Sequence, residues 1–507
     1  MNVDSLLKKT TDIMYGDAGV SGTAQYMSQL VWILFLKVFD YKEEMWELEK
    51  GYKNIIREPF RFRDWANPKD KNGRPDLKNR MTADRLINFI NMYLFPYLSG
   101  KETEYEGKKY LLSTKDAKAA IIIEFMSSSQ NYMTDGVKLR QIIDEMASFD
   151  FDNTNEKHEF NDFYEKYLFK LQYNGNEAGE FYTPRPLTHF ITKHVNPKIG
   201  ENVADFACGS AGFLVEAANH LQGQVKSKKD NETIKKSIYG IEWKKLPYTL
   251  ATTNLLLHNI DNPNLVHGDG LAKNVLDLKD EDLFDCILMN PPFGGEINKS
   301  VLQNFPEDIR SSESADLFLI RIIYCLKKNG RCGLILPDGV LFQTSKQKTL
   351  LKKKLLETCN LHTIIRVPKS TFAPYTPTAT NMLFFEKTGK TKEVWYYRID
   401  MPEGVKHFSK TKPIKLSDLD CVEKWWNKRV EIKDECIDES KQTYKSKKYT
   451  IKEIEDMNYN LDLCGYPNVE EEILTPKETI ENYFEKKQEL EKEIKKHLDA
   501  IKKLIEV

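Results

Sequence analysis

From about residue 160 onward, short apolar runs of β-type residues alternate with amphipathic helical stretches. The runs fall at 202–207, 237–242, 264–267, 284–289, 333–337, 362–367 and 381–386. A parallel strand pair needs a crossover, usually a helix, so this alternation predicts a parallel sheet covered by helices. Helical stretches separate the first six runs. The last two are joined only by a loop rich in Pro and Thr, Lys369 to Thr380, which predicts a closing hairpin with one antiparallel strand. Upstream, apolar residues recur at three- and four-residue steps over 24–41, 83–98, 117–126 and 139–146, so residues 1–160 read as a helical domain. The apolar run 30–39 is too short to span a bilayer and reads as a core helix.

The division expected is therefore 1–160, helical; 161–390, sheet-bearing; 391–474, a mixed extension; and 475–507, a terminal amphipathic helix. In the extension, 393–399 reads as one more strand, and the highly charged stretch 431–452 is expected to be exposed. The last helix opens on Thr475-Pro476-Lys477-Glu478, an N-cap, a first-turn Pro and a capping-box Glu. Its apolar residues Ile480, Phe484, Leu490, Ile494, Leu498, Ile501 and Ile505 form a stripe on a Lys/Glu-rich helix. Such a stripe faces either another helix or the chain's own core.

Residues with chemistry sit where the strands end. Asn290-Pro291-Pro292-Phe293 follows the run 284–289. The Asn side-chain oxygen and the carbonyl of the first Pro can each accept a hydrogen bond from an exocyclic amine. The prolines fix φ and hold that carbonyl still. Phe293 offers a face on which an extruded base can stack. Read alone, the tetrapeptide is equally a Pro-rich turn with a capping Asn. Asp205-Phe206-Ala207-Cys208-Gly209-Ser210-Ala211-Gly212-Phe213 follows the first run and opens a helix. Its small residues let a ligand approach the backbone, and a helix N-terminus favours an anionic group. Glu242 ends the second run, where an acid can accept from two ribose hydroxyls; alone it reads as a surface Glu. Asp269 ends the third, within an Asp-Gly turn. Phe181, Tyr182 and Thr183, in the segment 179–185 before the sheet, can close over a ligand or simply seal a helix–loop junction. The order and spacing of these five segments along one sheet edge, the edge where open α/β sheets bind ligands, give them joint weight.

The eight cysteines include no pair at CxxC spacing, which argues against a zinc site or a disulfide framework and fits a reducing cytoplasm. No basic n-region with an apolar stretch opens the chain. Net charge is −1, without the basic excess usual in a protein that grips DNA unaided.

Taken together, 179–185, 205–213, Glu242, Asp269 and 290–293 resemble the N6-adenine DNA methyltransferases of the gamma class. The resemblance extends to the modification (M) subunits of type I restriction–modification systems through Ala315-Asp316-Leu317-Phe318, 336–342, 372–375, 380–385 and Tyr459-Asn460-Leu461-Asp462. It implies an α/β S-adenosylmethionine-dependent methyltransferase fold, Rossmann-like, with a seven-stranded sheet, an N-terminal helical domain and a C-terminal helix. It also implies that Asn290 and the Pro291 carbonyl hold the adenine N6, with Phe293 stacked on the flipped base. On that reading Asp205, Ala207, Cys208, Gly209, Ser210, Gly212 and Phe213 line the methionine end of S-adenosylmethionine. Glu242 holds its ribose and Asp269 its adenine, while Phe181, Tyr182 and Thr183 close the pocket. The implied partners are double-stranded DNA, a specificity (S) subunit shared by two M subunits, and a restriction subunit able to join; no membrane is implied.

Two positions depart from the family pattern. Phe206 stands where Pro is frequent, and Ala211-Gly212 where Gly-Gly is frequent. If position 211 needs a positive φ, Ala costs on the order of 1 kcal/mol there. Two other readings share these residues: a self-sufficient methyltransferase that reads its own target, and a non-catalytic assembly subunit retaining the fold. Only about 90 residues separate the sheet from the final helix, little for a recognition domain.

Overall fold

The computed structural model describes residues 3–465 except 73, 75, 77–79, 149–163, 169–181, 295, 296, 298, 373–377, 410 and 435–441, together with 483, 484, 487, 488, 491, 492, 494 and 495. Residues Met1–Gly465 form one compact unit and Tyr466–Val507 a second.

The N-terminal part is built around the helix Gly22–Glu47, whose central residues from Leu30 to Leu36 are all buried. Helices Val3–Tyr15, Ala83–Phe89, Ala117–Ser127 and Gly136–Ala147 surround it, with Asp116 and Asp135 capping the last two. Their apolar faces share a core that also takes in Leu250, Leu256 and Leu257 of the helix Lys245–Leu257. The helical part is thereby seated on the sheet-bearing part. One feature was not expected from the sequence: a hairpin of β1 (Thr103–Tyr105) and β2 (Lys108–Tyr110). Its turn residues Glu106 and Gly107 have φ of 50° and 74°, the left-handed pair that a two-residue hairpin turn needs. Among the described residues, no helix is long and apolar enough to cross a membrane.

All seven expected strands form: β3 (Val203–Asp205), β4 (Ile238–Glu242), β5 (Asn264–His267), β6 (Phe284–Met289), β7 (Leu326–Pro337), β8 (Asn360–Val367) and β9 (Thr380–Glu386). The sheet does not stop at seven, and that expectation is corrected. β10 (Glu393–Arg398), β12 (Tyr444–Thr450) and β11 (Ile432–Lys433) extend it to ten, in the order β11-β12-β10-β8-β9-β7-β6-β3-β4-β5. The segment 431–452, expected as an exposed charged stretch, supplies two of these strands. Its lysines hide the pattern, yet they are accommodated on the strand: the Lys447 ammonium lies 4.8 Å from the centre of the Tyr444 ring and 4.6 Å from that of Tyr449. As expected, β9 is antiparallel, wedged between β7 and β8 with Leu383 opposite both Leu334 and Ile364.

β3 pairs in parallel with β4 on one side and β6 on the other. The chain runs outward from β3 through β4 and β5, then returns to β6 across β3. This reversal opens a crevice beyond the carboxyl ends of β3 and β6. Helix Arg185–Val195 packs against β7, and Gly333 makes this possible. A Cβ there would meet Ile191 Cγ2 at 2.3 Å and Val195 Cγ2 at 2.8 Å. Gly333→Ala is expected to cost about 1–3 kcal/mol, the usual range for overpacking a core, and to lower the thermal unfolding midpoint measured by circular dichroism.

Candidate active site

The crevice holds a cavity of about 440 Å³, within the size range of small-molecule sites. Ala207 and Gly209 after β3, Glu242 at the end of β4, Asp269 after β5, and Asn290 and Pro292 after β6 all line it. A narrow cleft adjoins it, lined by Thr183, Asp205, Cys208, Gly212 and Phe213; both spaces share Ala207, Gly209 and Asn290. Most residues singled out in the sequence thus converge on one place.

The turn after β3 is held tightly. The Cys208 N–H donates to Ile241 O at 3.0 Å and the Ala211 N–H to Cys208 O at 2.8 Å. Asn254, buried in the helix Lys245–Leu257, donates to Ser210 O at 2.8 Å. Ala211 has φ 64° and ψ 30°, a left-handed conformation that costs an L-residue roughly 1–2 kcal/mol. The departure noted at this position therefore does fall on strained backbone. Ala211 is the N-cap of helix Gly212–Gln222 and makes no side-chain cap bond, so the first-turn N–H groups are left for another acceptor.

Two carboxylates are buried around this turn. Asp205 accepts from the Ala207 N–H at 3.1 Å. Burial pushes its carboxyl well above the usual range; the Ala207 N–H opposes that shift and the neighbouring Glu242 adds to it. Glu242 accepts from Gly209 N–H through Oε2 at 2.9 Å and from Lys244 N–H through Oε1 at 2.8 Å. Each oxygen keeps acceptor capacity. Burial raises this carboxyl too, against the pull of those N–H groups. Asp269 is turned by accepting the Leu271 N–H at 2.8 Å.

At the end of β6, Asn290 Nδ2 donates to Thr183 Oγ1 at 3.0 Å. That bond fixes the amide and leaves Asn290 Oδ1 buried without a partner. An unpaired buried acceptor costs about 1–3 kcal/mol and calls for a donor. Two residues later the Pro292 carbonyl accepts the Ser314 hydroxyl at 2.7 Å. With φ set by both prolines, this bond also holds the backbone entering Phe293. The Phe293 ring meets Phe372 edge-on, with centroids 6.0 Å apart.

Some expectations land elsewhere. Tyr182 belongs to the apolar core of the N-terminal helices, with the Arg185 guanidinium 5.2 Å from its ring centre. Phe181 lies outside the described residues, as do 373–375 of the segment 372–375. Other lining residues escaped the sequence reading. Trp243 lines the cavity beside Glu242 yet is 65% exposed, and an unburied Trp directly after a strand was a usable signal. Ser314, at the start of the helix Ser314–Cys325, gave none, since it looks like an ordinary helix residue; Phe318 on the same helix lies in the segment 315–318 that carried the resemblance, but without a role.

The model of the N-6 DNA methylase family matches residues 155–473, a span that contains every part of this site. The chain belongs to that family. It is 41% identical over 465 residues to the EcoEI type I restriction enzyme methylase subunit of Escherichia coli, covering 91% of this chain and 90% of that one. It is 29% identical over 420 residues to the EcoKI methylase subunit of E. coli K12, covering 78% and 71%. Among solved structures it resembles a type I modification subunit from Vibrio vulnificus YJ016, with a TM-score of 0.76, 35% identity and coverage of 92% and 97%. A second structure, from work on complex assembly and conformational transition of the type I system, gives a TM-score of 0.75 at 30% identity, covering 99% of both chains.

The site carries a pH signature of its own. A carboxyl whose folded pKa lies above its unfolded value stabilises the fold in its protonated form. That contribution is full below the unfolded value, about 3.9 for Asp, and is lost as pH rises through the folded value. Asp205→Asn, neutral and nearly isosteric, removes the loss. The ligand-free variant is expected to melt above wild type at mildly alkaline pH, with the gap closing at acidic pH. A variant that melts lower at alkaline pH contradicts the assignment of buried strain to Asp205.

Proposed function

We propose that this chain is the M subunit of a type I restriction–modification system and transfers a methyl group from S-adenosylmethionine to N6 of adenine in double-stranded DNA. The observation that carries the chemistry is the orphaned Asn290 Oδ1, buried beside the Pro-Pro turn and at the wall shared by cavity and cleft. An exocyclic amine is a donor that such an oxygen lacks. With the Pro291 carbonyl as second acceptor, both amine hydrogens are taken up, and the nitrogen lone pair is turned toward the cavity. Phe293, braced by Phe372 and by the Ser314 bond to Pro292, offers the ring on which the extruded base stacks.

The residues of the cavity fit the cofactor. S-adenosylmethionine supplies an electrophilic methyl group on a sulfonium. Asp205 and the uncapped helix start after Ala211 suit the charged methionine end, Glu242 the ribose hydroxyls, and Asp269 and Trp243 the adenine. The cationic end of the cofactor offsets the cost of ionising Asp205 and Glu242 beside one another. Proton loss from the amine needs no dedicated base, because an alkylated N6 is acidic enough to release its proton to water.

Target choice belongs to an S subunit bound by two M subunits, with a restriction subunit able to join. The net charge of −1 supports reliance on a partner for DNA affinity. In the terminal segment, Phe484 and Ile494 of the apolar stripe are exposed and in helical conformation, which supports a face for another helix; the other stripe residues lie outside the described ones. On this reading the functional divisions remain 1–160, 161–390, 391–474 and 475–507.

The test is a contrast between two variants in the complex reconstituted with its specificity subunit. Asn290→Ala is expected to abolish methyl transfer while cofactor affinity, measured by calorimetry, stays near wild type. Glu242→Ala is expected to weaken cofactor binding by about 1–3 kcal/mol, the cost of losing buried polar partners. Wild-type turnover in Asn290→Ala would remove the central role given to that residue.

A further inference from the structure

A separate cavity of about 250 Å³ opens at the other edge of the same strands, where β4, β5 and β6 begin. Three cations line it, Lys236, Lys273 and Arg321, against two acids, Glu281 and Asp282. Lys236 and Lys273 are exposed, but Arg321 is only 5% exposed. Its guanidinium carbon lies 4.5 Å from the centre of the Phe206 ring, so one face of the cation rests on that ring. Its Nε and Nη1 are buried and have no hydrogen-bond partner. Asp282 does not satisfy them. Its carboxylate pairs with Lys273 and accepts the Lys279 N–H at 2.9 Å.

A buried guanidinium with free donors is expensive unless an acceptor reaches it. The acceptor that suits a planar fork of N–H groups is an oxyanion, which can take two parallel hydrogen bonds. The volume is small and the wall is polar, with Asn202 and Asn264 among its lining residues. We propose that this cavity binds a small oxyanion of the phosphate class, with Arg321 as the buried anchor and Lys236 and Lys273 as the exposed rim. The site is distinct from the methyl-transfer centre and does not depend on the cofactor reading. Free phosphate and a phosphate monoester are its two possible sources.

The experiment uses the full-length chain. Binding is followed by calorimetry, and by thermal midpoint, with inorganic phosphate against chloride at matched ionic strength. Ribose 5-phosphate serves as the ester. Saturable binding of either is expected, with the tighter one naming the source. Arg321→Met, which keeps an unbranched apolar side chain on Phe206, is expected to weaken it roughly tenfold, as loss of a charge-assisted hydrogen bond does. Lys236→Glu, on the exposed rim, is expected to weaken it as well, and it decides the matter if Arg321→Met does not fold. Absence of saturable binding in wild type overturns the site. So does equal binding by wild type and Lys236→Glu.

Discussion

The parallel pairing of β3 with β6, Val203 opposite Cys286 and Ala204 opposite Ile287, is the constraint on which the site depends. The two strands are far apart in sequence, and the chain builds β4 and β5 before it returns. Because both strands point the same way, Asp205 and Asn290 leave the sheet at the same edge and share one cleft. Antiparallel pairing would have put them at opposite edges. The Glu242 and Asp269 positions follow from the same rule one and two strands further out. Everything the methyl-transfer reading requires is then a matter of what stands at four strand ends.

Those strand ends store unfavourable energy rather than stability. Ala211 sits in left-handed backbone, Asp205 and Glu242 are buried close together, and Asn290 Oδ1 has no partner. Each is a local violation of what a sequence optimised for folding alone would contain. On the proposed function, each is relieved by a ligand of definite character: an anionic group for the helix start, a cation for the acids, and an amine for the Asn oxygen. The tight turn bonds, the Asn254 brace and the three buried apolar clusters supply the rigidity that holds these groups in place.

Much of this was legible in the sequence. Runs such as 284–289 are apolar on both faces because β6 is buried between two layers, so it reads plainly as a strand. Their ends carry the polar residues for the same reason. The parts that were not legible share a physical cause, namely that tertiary partners decided them. β12 looks like a charged loop until β10 is there to pair with it, with Trp395 opposite Lys448. Of the three strands beyond seven, β10 falls on the stretch 393–399 that reads as a strand, and only β11 and β12 were unforeseen. Ser314 becomes informative only when its hydroxyl is found on Pro292. Tyr182 was expected to close the pocket together with Phe181 and Thr183, but adjacent residues point to different places, and it packs in the helical core. The free oxygen of Asn290 depends on Thr183, more than a hundred residues away, to take the other end of the amide.

The central claim is that the Asn290 oxygen and the Pro291 carbonyl receive the amine of an adenine. The most direct measurement is mass spectrometry of nucleosides from DNA methylated by the reconstituted complex with isotopically labelled S-adenosylmethionine. The account predicts label in N6-methyladenine alone. Label in N4-methylcytosine would keep the amine but refute the base, and label in 5-methylcytosine would contradict the account altogether, since ring-carbon methylation does not use an acceptor pair of this kind.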